Sequence, residues 1–259
     1  MHFSSRQADR ARRRTLTLVT SGALTTIALM LAPAAARATT VGSGKAATEN
    51  RAVSGFQAIS LRGSIDVVVH QGNSESVTVR ADDNILPLVQ TVVEGAGDTR
   101  TLRIQFKSGE SVRTNTQVVV TVHVVKLEAI ASSGSGDITI EALKTPTLTM
   151  SISGSSDAAL KQLDTERLSI SIAGSGDVKA SGRAARLEVS IAGSGDVRTR
   201  ELLAGDVSVS IAGSGDASVT AQRTISVAIA GSGDVEYGGG AVLAKRSIAG
   251  SGSVRQRQP

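Results

Sequence analysis

The sequence predicts an all-β protein: a right-handed parallel β-helix, or β-solenoid, of about twenty residues per coil with Gly-Ser-Gly-Asp corners. Three observations carry that expectation. The phrase Gly-Ser-Gly-Asp begins at Gly134 and returns so that its last position falls at Asp137, Asp157, Asp177, Asp196, Asp216 and Asp234, spacings of 20, 20, 19, 20 and 18 residues. Before each phrase, apolar residues alternate with small polar ones, as in Leu168, Ile170, Ile172 and Leu187, Val189, Ile191, and period two means a strand with one buried and one wet face. Aromatic residues make up 2% of the chain and Trp is absent, so the core must be built of Val, Ile, Leu and Ala. Identical stacked layers suit such a core better than an irregular globule does.

A period near twenty is too long for the ~8 to 12 residue spacing of barrel or sandwich strands and leaves no room for the helix of a βαβ unit. Equivalent strands of successive repeats then pair in parallel, about 4.8 Å apart. One repeat reads as strand, tight corner, second short strand such as Val178-Lys179-Ala180, and return loop.

Taken in order, residues 1–38 have the parts of a signal peptide. A basic run from Arg10 to Arg14 precedes an apolar stretch from Leu16 to Leu31, then Pro33 and the small-residue site Ala36-Arg37-Ala38, which predicts cleavage after Ala38. Arg13-Arg14-Thr15-Leu16 partly matches a twin-arginine signal, with Thr17 in place of a hydrophobic residue, and both export routes stay open. The alternative is an uncleaved membrane anchor, but the apolar stretch is short for a span and broken by Thr, Ser and Gly; after cleavage no stable membrane span is expected. Residues 39–50 read as a flexible leader of Thr, Gly, Ser and Ala.

Residues 51–254 are expected to form a single β-helical domain. In 51–126, irregular N-terminal coils are marked by β-branched runs at Val67-Val68-Val69, Val77-Thr78-Val79 and Val118 to Val125, with one short helix or turn between Ala81 and Val89 that Pro87 limits. Gly63-Ser64-Ile65-Asp66 is a degenerate copy of the phrase. Residues 127–254 hold the regular repeats. The last copy has Lys245 and Arg246 where apolar residues alternate elsewhere and Ser253 in place of Asp; a polar terminal rung keeps an open edge from pairing with another molecule. Residues 255–259 read as a tail.

Charge excludes one class of partner. The net charge is +5, but residues 1–38 hold six Arg and one Asp, and the remainder carries 22 basic and 22 acidic residues. A neutral mature chain has no electrostatic footprint for nucleic acid. The absence of Cys removes disulfides, thiolate metal sites and lipidated Cys.

The corner residues are Gly134, Gly136, Asp137, Gly154, Asp157, Gly174, Gly176, Asp177, Gly193, Gly195, Asp196, Gly213, Gly215, Asp216, Gly231, Gly233 and Asp234. Their glycines are read as backbone geometry, since a sharp corner visits positive φ, and the central Ser as a small local hydrogen-bonder. Three outcomes are open to the stacked Asp residues: hydrogen bonds to corner N–H groups, with each Asp closing its own turn, shared cations, or a polar binding stripe. The first is favoured because Asp is a standard turn residue. The calcium-binding nonapeptide solenoid has Gly-x-Gly-x-Asp at a nine-residue period, which this phrase matches in neither order nor length.

Equivalent carboxylates do not supply the unlike environments that catalysis needs, so no catalytic residues, cofactor or metal site are expected. His70 and His123 lie in valine-rich strands, and two ligands do not close a metal site. Lys179, Arg198 and Glu236 are placed on the wet faces.

The chain resembles the bacterial DUF2807 family, described as autotransporter-adhesin head GIN domains. The matching residues are Val53-Ser54-Gly55-Phe56 with Ile59, Gly63-Ser64-Ile65-Asp66-Val67, Val79-Arg80-Ala81-Asp82-Asp83-Asn84-Ile85-Leu86, Leu102-Arg103-Ile104 and the repeated corners, over Asn50 to Val254. The resemblance implies an exported β-helix related in shape to pectin-lyase-like folds, with no recognised catalytic set, serving adhesion. Two departures stand out: Val125-Lys126-Leu127 where the family often has Pro, and Gly154-Ser155-Ser156-Asp157, which lacks the second Gly and is expected to weaken its corner. The functional expectation is a non-enzymatic adhesion, scaffold or surface-interaction module of the cell envelope, periplasmic, cell-surface or secreted, whose partner is a glycan or a cell-surface protein. The alternatives are a carbohydrate-active enzyme, lyase or hydrolase, using part of the Asp ladder, and a cation-stabilised solenoid.

Overall fold

The computed structural model describes residues 39–97 and 100–258. The expected signal peptide and its cleavage site lie outside the described residues. The N-terminal part forms β1 (Thr39–Val41), β2 (Ala46–Arg51), β3 (Ala58–Gly63), β4 (Asp66–Gln71), β5 (Ser76–Asp82), β6 (Val89–Glu94), β7 (Thr101–Phe106), β8 (Ser111–Arg113) and β9 (Val119–Val124). The repeats follow as β10 (Ala129–Gly134), β11 (Ile138–Ile140), β12 (Leu143–Gly154), β13 (Ala158–Gly174), β14 (Val178–Gly193), β15 (Val197–Gly213), β16 (Ala217–Gly231), β17 (Asp234–Gly238), β18 (Val242–Gly250) and β19 (Ser253–Gln256). The fold is an all-β solenoid of stacked parallel coils, as the repeat predicts.

Along the repeats, each coil lies parallel to the next with like residues side by side: Leu168 beside Leu187, Ile170 beside Val189, Ile172 beside Ile191 and Gly174 beside Gly193. Alternation turns every second side chain inward, so Ile152, Ile172, Ile191, Ile211 and Ile229 form one buried column. Each such side chain contributes about 1.5–3 kcal/mol on burial.

The stretch expected as a return loop is itself strand. Leu163, Asp164 and Thr165 pair with Gly182, Arg183 and Ala184, which pair in turn with Leu202, Leu203 and Ala204. Period two persists there, but two inward residues per coil are too few to stand out in sequence.

At the N-terminal end the order in space departs from the order in sequence. The coil of β3 and β4 stacks on β10 and β11, with Gly63 beside Gly134 and Val67 beside Ile138. On its other side lie β7 and β9, which set Ile59 beside Leu102 and Val67 beside Val120. Residues 58–71 are thus held between two later coils. Antiparallel strands cover the far edge: β6 pairs β7, and β5 pairs both β9 and β2, which leaves those parallel strands no open ladder. Between β5 and β6, Leu86–Leu88 makes a single 3₁₀ turn with Pro87 in its first positions, where a missing N–H costs nothing.

Residues 39–50, expected as a flexible leader, are largely strand. β1 runs parallel to β8, and β2 antiparallel to β5. Asp82, fully buried, ties the segment down by accepting the N–H groups of Gly44 at 2.9 Å, Asn115 at 3.0 Å and Thr116 at 3.3 Å. Burial pushes the Asp82 carboxyl up, but these amide donors outweigh it and hold the group below its ordinary value of 3.8. Composition hid the order because the anchoring groups are distant in sequence.

At the other end, β18 and β19 pair with β16 and β17. Arg246 stands beside Val227 and Lys245 beside Ser226, so a charged residue replaces an apolar one on the last coil. Arg255 and Gln256, expected in the tail, belong to β19.

Candidate functional site

The corners arise from two glycine positions with different duties. The first sits at positive φ, +144° at Gly174, where a side chain is strained; Gly134, Gly154, Gly193, Gly213 and Gly231 share its column. The second faces inward against the coil below. A Cβ on Gly195 would lie 2.2 Å from the carbonyl oxygen of Gly176 and 3.0 Å from Ile172 Cγ2, and Gly176, Gly215 and Gly233 meet the same pair of obstacles. At Gly136 the atoms in the way are the backbone of Ile65.

Ser156 occupies that second position in its coil. The residue beneath it, where later coils have Ile, is Ser132: it pairs with Ile152 at the head of the isoleucine column. Both serines are buried, and their hydroxyls lie 2.7 Å apart. A small polar side chain below makes room for a small polar side chain above, and the hydrogen bond satisfies both. The corner expected to be weakened is instead matched from below.

The Asp residues form a ladder between coils rather than closing their own turns. The backbone N–H of Asp137 donates to Asp66 Oδ1 at 2.8 Å, that of Asp177 to Asp157 at 2.9 Å, and that of Asp196 to Asp177 at 3.0 Å. Asp216 and Asp234 donate in the same way to Asp196 and Asp216, and Ser253 to Asp234; the bond from Asp157 to Asp137 is longer, 3.3 Å. Each carboxylate therefore gives one oxygen to the next coil's corner. Arg198 bridges two rungs, donating to Asp177 Oδ2 at 2.6 Å and Asp196 Oδ2 at 2.7 Å. Partial burial pushes the Asp177 carboxyl up, while Arg198 and the Asp196 amide outweigh it and leave it below 3.8.

His70 and His123 sit on adjacent coils with rings stacked 5.2 Å apart, and His123 Nδ1 is 3.1 Å from Ser76 Oγ. Among the described residues no group of three or more His, Cys, Asp or Glu is placed to hold a metal ion.

A recess opens where coils differ in length. Lys161 and Gln162 bulge from β13 between Leu160 and Leu163, and Arg200, Glu201 and Leu202 bulge from β15 between Thr199 and Leu203. The coil between them turns this corner through Ser181-Gly182. The result is a groove of 480 Å³ lined by Lys161, Lys179, Ser181, Arg198, Arg200 and Glu201, with Ala159 and Ala180. Lys161 Nζ contacts Glu141 Oε1 at 2.7 Å, and Arg200 Nη2 contacts Glu236 Oε2 at 3.1 Å. The Lys179 ammonium, also exposed, makes no hydrogen bond or ion pair among the described residues, although its charge lowers the Asp177 carboxyl. Lys161, Ser181 and Arg200 escaped sequence reasoning because they lie in the return segment. The signal was present in the spacings, where a 19-residue coil between Asp177 and Asp196 is flanked by coils of 20.

A family model described as "Putative auto-transporter adhesin, head GIN domain" matches residues 55–241. Among solved structures, the chain is similar to a "putative adhesin" from Bacteroides fragilis, with a TM-score of 0.77 and 26% identity over 84% of this chain and 100% of that one. A "putative lipid binding protein" from Parabacteroides distasonis is similar at TM-score 0.71 and 26% identity, covering 85% of this chain and 100% of the other. A "putative adhesin" from the same species gives 0.68 and 26%, with the same coverage. No curated protein matches the sequence.

Proposed function

The chain belongs to the DUF2807 family, whose description is "Putative auto-transporter adhesin, head GIN domain", and on that premise we propose that it is an exported, non-enzymatic adhesion or scaffold module of the cell envelope. The observation that carries this reading is the Asp ladder. Each carboxylate is bound through one oxygen to the backbone of the next coil, and where surroundings differ, at Asp177 beside Arg198 and at Asp234 beside Ser253, the carboxyl is lowered rather than raised as a general acid would be. An enzyme of the glycosidase type needs two carboxyl groups whose environments push their proton affinities apart. What the solenoid offers a partner is a long, rigid set of outer faces, and similarity to proteins named as adhesins supports that use. Export is supported by the basic, apolar and small-residue order of residues 1–38. Among the described residues no helix is long and apolar enough to cross a membrane.

The test is binding of the purified chain to bacterial surfaces and to arrayed glycans, alongside a turnover assay on the glycans that bind. Saturable binding without turnover, unchanged in Asp157→Asn and Asp216→Asn, is the expected result. Cleavage of a polysaccharide abolished by a single Asp→Asn change would replace this reading with the enzymatic one.

A further inference from the structure

We infer that the edge of the last coil, formed by β18 and β19, is a docking site for an extended acidic segment of a partner protein, which adds to the stack as a further strand. This edge is separate from the outer faces on which the adhesion reading rests, and neither depends on the other. The sequence concentrates positive charge here. Of the 22 basic and 22 acidic residues beyond residue 38, four basic ones, Lys245, Arg246, Arg255 and Arg257, and no acidic ones fall in 237–259.

The backbone at this edge is open to pairing. β18 pairs with β16 and β19 with β17, and among the described residues no strand lies on the far side of either. Alternate residues of a parallel strand direct their N–H and C=O to opposite neighbours, so every second residue of the edge turns a donor and an acceptor outward. A register shift at Ala244 limits regular pairing to Lys245–Gly250 and, past the corner, Ser253–Gln256. Two apolar columns end here uncovered. Ile248 continues Ile229 and Val254 continues Val235, and both are half-buried where the residues beneath them are buried.

Register decides what the added strand carries. Arg246 stands in the column of Val189, Val209 and Val227, whose side chains are buried. A strand laid over it takes the guanidinium out of water, which is unfavourable unless a carboxylate arrives with the strand. Arg257 is held by Glu236, and Arg255 lies in the field of the Asp234 carboxylate. Lys245 and Arg246, both exposed, have no hydrogen-bond or ion-pair partner among the described residues. The complement opposite Lys245, Arg246, Ser247 and Ile248 therefore reads acid, acid, polar, apolar.

Other occupants fit less well. An open ladder takes a peptide backbone, which nucleic acid and lipid headgroups lack. A second copy presenting the same edge brings like charges together. The strands paired on one side at the opposite end, β2 and β6, hold one Glu each, and these already face Arg51 and Arg103. Residues 1–38, with six Arg and one Asp, do not supply the acids.

The experiment is fluorescence anisotropy of the purified chain with a labelled ten-residue peptide centred on Glu-Glu-Thr-Val, at low and high salt. Companion peptides carry Lys in place of both Glu, or N-methyl groups at alternate residues in either phase. The expected result is binding of the acidic peptide that weakens with salt, falls about tenfold in Arg246→Glu, is unchanged in Lys107→Glu beside β7, and is lost in one phase of N-methylation. Arg246→Glu should in turn bind the Lys peptide, which the wild type refuses; that gain separates a changed site from a damaged fold. No binding of the acidic peptide by the wild type, equal binding of both N-methylated forms and the plain one, or equal loss in Lys107→Glu overturns the inference. Vesicles of phosphatidylglycerol or duplex DNA bound in place of the peptide, or a wild-type dimer that Arg246→Glu dissolves, would likewise replace it with another occupant.

Discussion

Exchange of the Ser132 and Ser156 pair for the Ile and Gly of later coils tests whether coils are specified in matched vertical pairs. In Ser156→Gly the Ser132 hydroxyl loses its buried partner, at a cost of about 1–3 kcal/mol. In Ser132→Ile the Ser156 hydroxyl is orphaned at a similar cost, and overpacking adds about 1–3 kcal/mol. The overpacking follows from the neighbouring coils, where a Cβ in Ser156's position would lie 3.0 Å from an isoleucine Cγ2. The double variant removes both hydroxyls, restores the arrangement of Ile152 beneath Gly176 and buries one more isoleucine, worth about 1.5–3 kcal/mol. Both single variants should therefore be less stable than wild type, and the double variant at least as stable, with a coupling energy of about 3 kcal/mol or more, at the top of the range for residues in contact. Equilibrium unfolding in guanidinium chloride measures this, with equal m-values securing the comparison. Additivity within ~0.5 kcal/mol, or a double variant as unstable as the sum of its parts, would show that the coils do not read one another in this way.

Three further outcomes are expected. Gly195→Ala forces a Cβ to within 2.2 Å of the Gly176 carbonyl oxygen and should cost about 1–3 kcal/mol or more, whereas Gly72→Ala, with nothing within 4 Å, should be neutral by the same unfolding measurement. Asp157→Asn keeps an acceptor for the Asp177 N–H and should leave the melting temperature nearly unchanged, while Asp157→Ala loses that bond and costs about 1 kcal/mol; a large loss in the Asn variant would mean that charge, not the acceptor, holds the ladder. The carboxyls of Asp82, Asp177 and Asp206 are all lowered from 3.8, the last chiefly by its bond from Arg223, so their contribution is complete above that value and is lost as pH falls through the lowered values. Thermal melts should be flat from pH 7 to 5 and decline below 3.8, and in Asp82→Asn the acid-side decline should be shallower.

The legibility of this fold in its sequence follows the length over which each signal repeats. The inward isoleucines and the corner glycines recur along the regular coils, so their register is legible in the sequence. The third strand shows through as two residues per coil, such as Leu163 and Thr165, and was hidden by bulges that vary from coil to coil. Order in residues 39–50 depends on Asp82 and Asn115, and no local pattern announces a carboxylate whose partners are more than thirty residues away. Ser132 and Ser156 are visible as departures from the repeat, yet each is intelligible in the light of the other. The groove follows from a difference of one residue between neighbouring spacings, which sequence presents as noise until the coils are stacked.

The enclosure of residues 58–71 between later coils also bears on assembly. A strand pair emerging early has neither neighbour until residues 101–140 exist, so closing this end has to gather contacts across some eighty residues of chain, a slow closure. Past that point each coil meets its neighbour about twenty residues away, so coils can be added to the stack one rung at a time. The molecule is in this sense a seed with an extensible stem. Truncations ending at the successive corners Gly193, Gly213 and Gly231 should still fold, whereas chains ending before Ala129 should not, and the number of coils is free to vary without disturbing the end that starts them.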